Sequence, residues 1–220
     1  MRTGPTFPGL PDDDSVASRR LRISFDFVDP GSRLVHALLP EDLAACAIWE
    51  PLELAPPHRP PLDPAAPLWV EMHESLATDA RNHGIALRTP DVVPRTRKAH
   101  ELALHAAEQG CLPAILQTLF EAHFEAGVDL GRVDALVELA SAVGLDPAET
   151  RTVLGVDRFR PAVEEARANI LRRGVRGVPT LEWTADPGTP DDPDPNAPPT
   201  RLEGFRDPES LAAFLRPSPT

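Results

Sequence analysis

The chain has 220 residues, enough for one domain with a large insertion and for a core that needs no covalent staples. Its 22 basic and 34 acidic side chains leave a formal charge of −12 with no basic run, which argues against nucleic-acid binding and against adhesion to anionic membranes. Two cysteines, Cys46 and Cys111, are too few for a disulfide framework; no stretch nears the roughly 18 apolar residues of a membrane span, and a polar start carrying Asp12, Asp13 and Asp14 has no apolar signal core, so a cytoplasmic protein is expected.

Residues 1–20 are rich in Gly, Pro, Asp and Ser and read as a flexible leader. Leu21 to Val28 alternates apolar and polar residues and predicts a strand. Asp29-Pro30-Gly31-Ser32 then turns into a helical stretch carrying Leu34, Leu38 and Leu39, which stops at Pro40. A second strand is expected around Cys46 to Trp49, which makes Cys46 an inert core residue. Pro51 to Pro67 holds seven prolines, too many for a helix or a central strand.

Helical spacing follows. Helices are predicted over Leu68–His83, Arg95–Gln109, Pro113–Ala126 and Arg132–Val143, each running into a glycine. Asp146-Pro147-Ala148-Glu149 has the form of an aspartate N-cap, proline at the first helical position and glutamate at the third. Arg158–Arg173 is the last of this series. Strands return at Pro179–Trp183 and Thr200–Glu203, separated by a loop at 185–199 dense in Asp and Pro. Asp207-Pro208 opens a final helix through Leu215. The order is β-α-β, a run of helices, then β-β-α. That predicts an α/β thioredoxin fold, with 21–55 and 174–216 forming the fold proper and 56–173 a connection plus helical insertion.

Several polar groups invite a chemical reading. Asp29-Pro30 reads first as a helix cap, since the chain opens helices the same way at 146 and 207. Ser32 is a nucleophile only beside a base. His36 stands one helical turn later, but no third, orienting group is evident. His100-Glu101 with His105 mimics a zinc-protease motif. Its histidines are five apart, about 140° out of alignment on a helix, and cannot share a metal from one face, so no metal site is expected. Cys111 precedes a helix start and reads as small packing rather than a reactive thiol.

Five segments in order resemble one family. Phe25-Asp26-Phe27-Val28-Asp29-Pro30-Gly31-Ser32 is similar to a strand followed by C-P-W-C or S-P-Y-S. Trp49-Glu50-Pro51-Leu52-Glu53-Leu54 is similar to W-x-P-F-x-L. Thr96-Arg97-Lys98-Ala99-His100-Glu101-Leu102 resembles N-T-x-x-A-H-R-L, and Leu119-Phe120-Glu121-Ala122-His123-Phe124 resembles L-F-x-A-Y-F. Gly174-Val175-Arg176-Gly177-Val178-Pro179-Thr180 resembles the G-V-x-G-V-P-T loop that carries a cis-proline. Together they resemble the DsbA-like thioredoxin superfamily, in particular its FrnE-type oxidoreductases. The 2-hydroxychromene-2-carboxylate isomerases and kappa-class glutathione transferases are the neighbouring branch.

The resemblance implies a cis Val178–Pro179 bond facing the first helix. It places Asp29 and Ser32 at the two positions that hold the cysteine pair in the oxidoreductases. Neither side chain can exchange a disulfide. Asp29 and Ser32 are therefore the candidate catalytic positions, and Pro30, Gly31, Val178, Pro179, Trp49 and His100 the candidate substrate-binding ones. Two functions stay open: a scaffold that binds an extended peptide or small ligand without thiol chemistry, and a thiol-independent isomerase or transferase using Ser32 or Asp29. No cofactor is required. Glutathione is compatible with the family, although a carboxylate at 29 would repel its thiolate. A homodimer is compatible as well.

Overall fold

The computed structural model describes residues 19–185 and 200–216. Residues 1–18 of the expected 1–20 leader and residues 186–199 of the Asp- and Pro-rich loop lie outside the described residues, and Arg19 and Arg20 belong to the first strand instead of the leader. Strand β1 (Arg19–Phe25) leads into α1 (Pro30–Leu38), a short α2 (Glu41–Cys46) and strand β2 (Ile48–Pro51). Six helices follow: α3 (Pro67–Asn82), α4 (Arg97–Glu108), α5 (Leu112–Phe124), α6 (Val133–Ala142), α7 (Pro147–Gly155) and α8 (Arg160–Arg172). The chain closes with β3 (Thr180–Ala185), β4 (Thr200–Glu203) and α9 (Pro208–Leu215).

The four strands form one sheet in the order β2-β1-β3-β4. β1 runs parallel to β2 and antiparallel to β3, and β3 runs antiparallel to β4. Ile23 pairs with both Trp49 and Leu181, and Leu181 pairs with Leu202, so one face is an apolar row. That row belongs to the main core with Phe27 from the turn after β1 and Leu102, Leu116, Leu119, Phe120, Phe124 and Leu136 from the helices. On the other face Arg22 pairs with Glu182 and Glu182 with Arg201. This face is polar, and α8 lies against it at β2.

Helix positions follow the predicted spacing. α4 buries Ala99, Leu102, Ala103 and Ala106, and α5 buries Ile115, Leu116, Leu119, Phe120 and Phe124. The glycines after the helices take the left-handed conformation that stops a helix, with φ of 67° at Gly84 and 90° at Gly144. The proline-rich connection has no helix or strand of its own between Leu52 and Ala66. It is pinned by Arg95, whose guanidinium donates to the carbonyls of Ala55, Pro56 and Arg59 at 2.8 to 2.9 Å.

Three expectations need correction. β1 ends at Phe25 rather than Val28, because the Asp29 N–H turns back to the Asp26 carbonyl at 3.2 Å. The second strand starts at Ile48, two residues later than expected. Residues 41–46 form α2 instead, so Cys46 is the exposed last residue of a helix and not a core-strand residue. Its thiol donates to the Asp42 carbonyl at 3.2 Å. Cys111 is also free, half-buried at the N-cap of α5.

Candidate functional site

The site forms where α1 begins. Asp29 is the N-cap, Pro30 and Gly31 are the first two helical residues, and Ser32 is the third. Asp29 Oδ2 accepts from the Ser32 backbone N–H at 2.5 Å and from the Ser32 hydroxyl at 2.7 Å. This satisfies one of the donors that a helix start leaves open. The same word recurs at the end of the chain. In Asp207-Pro208-Glu209-Ser210, Asp207 accepts from the Ser210 N–H at 2.7 Å and its hydroxyl at 2.8 Å.

The two caps differ in burial, and that reverses their acid–base behaviour. Asp207 sits at the surface, and its bonds to Ser210 hold its carboxyl below the ordinary value. Asp29 is only 3 % exposed. Loss of hydration raises its pKa to about 7, against the lowering effect of the Ser32 bonds and with a further push from the Asp26 charge. A carboxyl that titrates near neutrality can both give and take a proton.

The cis-proline loop closes over this helix start. The Val178–Pro179 bond is cis, as the resemblance implied. A Cβ placed on Gly31 would lie 2.9 Å from the Pro179 Cδ and 3.3 Å from Phe205 Cβ. The loop thus touches the backbone of α1, which only glycine permits at that distance. Pro30, Gly31, Ser32 and Pro179 are buried, whereas Val178 is half-buried and Gly177 exposed. Among the described residues, neither the N–H nor the C=O of Val178 has a hydrogen-bond partner, while Gly177 and Pro179 carbonyls accept from Thr180 and Gly204.

The structure brings Asp29, Pro30, Gly31, Ser32, Val178 and Pro179 together and sets Trp49 and His100 behind them. Trp49 is 9 % exposed and packs edge-on to Phe25 at 5.3 Å. His100 is 1 % exposed between Phe25 and Phe27, with Nε2 3.3 Å from Asp26 Oδ1. The Ser32 hydroxyl donates to Asp29 and not to His36. The His36 ring packs against Trp49 and Phe120, and burial together with the Arg33 cation lowers its pKa to about 4. Among the described residues, no group of three or more His, Cys, Asp or Glu side chains is placed to hold a metal ion.

Sequence reasoning missed Asp26. It is fully buried, its Oδ2 accepts from the Leu54 N–H at 2.7 Å, and its own N–H points to the Ser32 hydroxyl at 3.4 Å. It ties α1, the segment after β2 and α4 into one support for the loop. Glu53, beside Leu54, is buried with Oε2 unpartnered, and burial raises its pKa. The available signal was the Phe-Asp-Phe triplet, an acidic residue between two core phenylalanines.

A sheet of this order, an α1 N-terminus and a cis-proline loop against it define a thioredoxin-type fold. Residues 20–192 match the model of the DSBA-like thioredoxin domain, and the chain belongs to that family. The uncharacterized protein YwbO of Bacillus subtilis is 33% identical over 148 residues, 60% of this chain and 69% of that one. The crystal structure of a probable DsbA oxidoreductase from Streptomyces coelicolor superposes with a TM-score of 0.68 at 23% identity, covering 90% of this chain and 88% of the other. A 2-hydroxychromene-2-carboxylate isomerase superposes with a TM-score of 0.64 at 16% identity, covering 88% and 91%. Both solved structures share the thioredoxin-type fold of this chain. Among the described residues no helix is long and apolar enough to cross a membrane.

Proposed function

We propose that this chain is a DsbA-family scaffold of the FrnE type that performs no thiol exchange and holds an extended peptide or small ligand along the Val178 edge. The observation that carries this reading is the Asp29–Ser32 bond pair at the start of α1. Both positions where exchange chemistry needs sulfur hold oxygen groups that satisfy each other. Beside them, the unpaired N–H and C=O of Val178 suit a strand-like partner, since an extended segment adds by pairing with such backbone groups. The charge of −12 favours a ligand other than nucleic acid. A cytoplasmic location, no required cofactor and a homodimer are parts of the same proposal.

The titration of ¹⁵N-labelled protein with a reduced, alkylated unfolded polypeptide tests the binding half. Amide shifts should centre on Gly31, Gly177 and Val178, and their absence at saturating polypeptide would remove it. Insulin reduction by the wild-type protein should stay at background. Turnover that vanishes when Cys46 or Cys111 is replaced would show that another thiol does the chemistry.

One observation favours a second reading. A buried Asp29 that titrates near 7 is suited to proton transfer, so a thiol-independent isomerase or glutathione-transferase-like enzyme using Ser32 or Asp29 is the alternative. Shifts at Asp29 and Ser32 on adding glutathione, absent with the polypeptide, would select it.

A further inference from the structure

The polar face of the sheet carries a network of ion pairs. Glu182 on β3 is completely buried and accepts from Arg173 at 3.2 Å and Arg201 at 2.7 Å. Glu50 on β2 accepts from Arg22 at 2.9 Å and also from Arg173. The carbonyls that end α8 are covered as well: Arg201 donates to the Arg173 carbonyl at 2.8 Å, and Arg176 to that of Leu171 at 2.7 Å. The negative end of the helix is therefore already met by guanidinium groups. Arg22, Arg173 and Arg201 pair with Glu50, Glu182 and Glu203, while among the described residues Arg176 reaches only carbonyls and Arg172 only Asn169, so cations are in excess here in a chain of charge −12.

At the edge of this network lies an open surface pocket of about 560 Å³ lined by Arg22, Glu50, Asn169, Arg172, Arg173 and Thr184. Its size falls in the range of small-ligand sites. The hydrogen-bonding capacity left in its wall belongs mainly to donors. Both Glu50 oxygens already accept from arginines, and Asn169 Oδ1 already accepts from Arg172. The Thr184 hydroxyl donates to the Arg20 carbonyl at 3.3 Å. The amide NH2 of Asn169 remains, as do the other N–H groups of Arg172, which has no carboxylate partner among the described residues. Arg22 is one-third exposed and reaches one carboxylate.

We propose that this open pocket binds a small, multiply charged oxyanion, a phosphate or a polycarboxylate, with Arg172 as its main contact and Arg22 and Asn169 beside it. Planar guanidinium forks match carboxylate and phosphate oxygens, and this wall offers forks with few competing acceptors. The site lies on the sheet face opposite the main core and is independent of Asp29 and the cis-proline loop.

Titration of ¹⁵N-labelled protein with inorganic phosphate in one arm and citrate in the other, at ionic strength matched with sodium chloride, tests this. Saturable shifts should cluster at Arg22, Asn169, Arg172 and Thr184. Arg172→Gln should weaken binding about tenfold, as expected for losing a charge-assisted bond, and Asp29→Asn should leave it unchanged. A response to only one arm identifies which oxyanion is held. Shifts that never saturate, that chloride reproduces, or that persist unchanged in Arg172→Gln would overturn the proposal. Arg172 is exposed, so the variant keeps the fold.

Discussion

Asp29 Oδ2 accepts two hydrogen bonds from Ser32, at 2.5 Å from its N–H and 2.7 Å from its hydroxyl, inside a helix start that water barely reaches. Asp207 accepts from the same two donors of Ser210, one on each carboxylate oxygen, in a more open position. One local word thus serves two ends. At 207 it caps a helix and the carboxyl becomes a stronger acid. At 29 it caps a helix, but burial makes the carboxyl a weak acid with a pKa of about 7.

That difference sets a pH dependence of stability. The unfolded chain releases the Asp29 proton near pH 4, while the folded chain keeps it to about 7. The folded state therefore binds more protons across this window, and the contribution from Asp29 is full below pH 4 and is lost as pH rises through about 7. Its ceiling is on the order of 4 kcal/mol. Asp29→Asn keeps a capping oxygen and removes the titration. Urea unfolding should find this variant within about 1 kcal/mol of wild type at pH 4.5 and more stable than wild type at pH 8. Parallel stability curves across that range would show that Asp29 does not titrate as the buried site requires.

His36 acts with the opposite sign. Its folded pKa of about 4 lies below the unfolded value of 6.5, so the unfolded chain binds more protons between those limits. The stability that neutral His36 contributes is present above pH 6.5 and is lost as pH falls through 4, by up to about 3 kcal/mol. His36→Phe should keep the contacts with Trp49 and Phe120 and lose this acid sensitivity. His73 and His123, whose pKa values burial also lowers, leave a residual dependence. The check is the difference in unfolding free energy between wild type and variant at pH 7 and pH 4.5; a constant difference would contradict it.

Gly31→Ala tests the contact between α1 and the cis-proline loop. Alanine ordinarily favours a helix by up to about 1 kcal/mol over glycine. Here its methyl would meet Pro179 at 2.9 Å, with Asp29 and Phe205 each at 3.3 Å. Overpacking of this kind costs about 1 to 3 kcal/mol, so the variant should be less stable than wild type despite the better helix former. The amide shifts it causes should reach Thr180 and Phe205. An equally or more stable variant would mean that the loop and helix are not held at this distance.

Much of this architecture was legible because its signals are local. The Asp-Pro caps at 146 and 207, the glycines that end α3 to α6 and the buried stripes of α4 and α5 each follow from a few neighbouring residues. The errors arose where local pattern is ambiguous. Residues 41–49 hold a short apolar run that suits either a helix end or a strand, and tertiary packing made its first half α2 and its end β2. The positions of Asp29, Ser32 and Pro179 came from their order in the family words. The burial that gives Asp29 its chemistry did not, since a residue's exposure depends on elements arriving from distant sequence, as Pro179 and Phe205 do beside the neighbouring Gly31. Likewise Glu182 alternates as a surface residue would, yet it is buried under arginines from two other elements.

The double substitution Asp29→Cys with Ser32→Cys tests the equivalence of these positions to a cysteine pair. Both lie in the first turn of α1, three residues apart, with Pro179 against the backbone between them. Losing the aspartate cap should cost about 1 kcal/mol, which a chain of this size can bear. Two opposing effects act on the leading thiol. The helix N-terminus favours a thiolate, whereas burial and the Asp26 charge disfavour it. The resulting pKa therefore reports which influence wins, and Asp26→Asn in the same background should lower it. The pairing itself depends only on geometry. The variant has four thiols when reduced, counting Cys46 and Cys111, and mild oxidation should leave two free. Insulin reduction should then rise above the wild-type background. A folded variant whose four thiols all remain titratable after oxidation would show that positions 29 and 32 are not arranged as a disulfide site, and the residue-by-residue match at the start of α1 would fall with it.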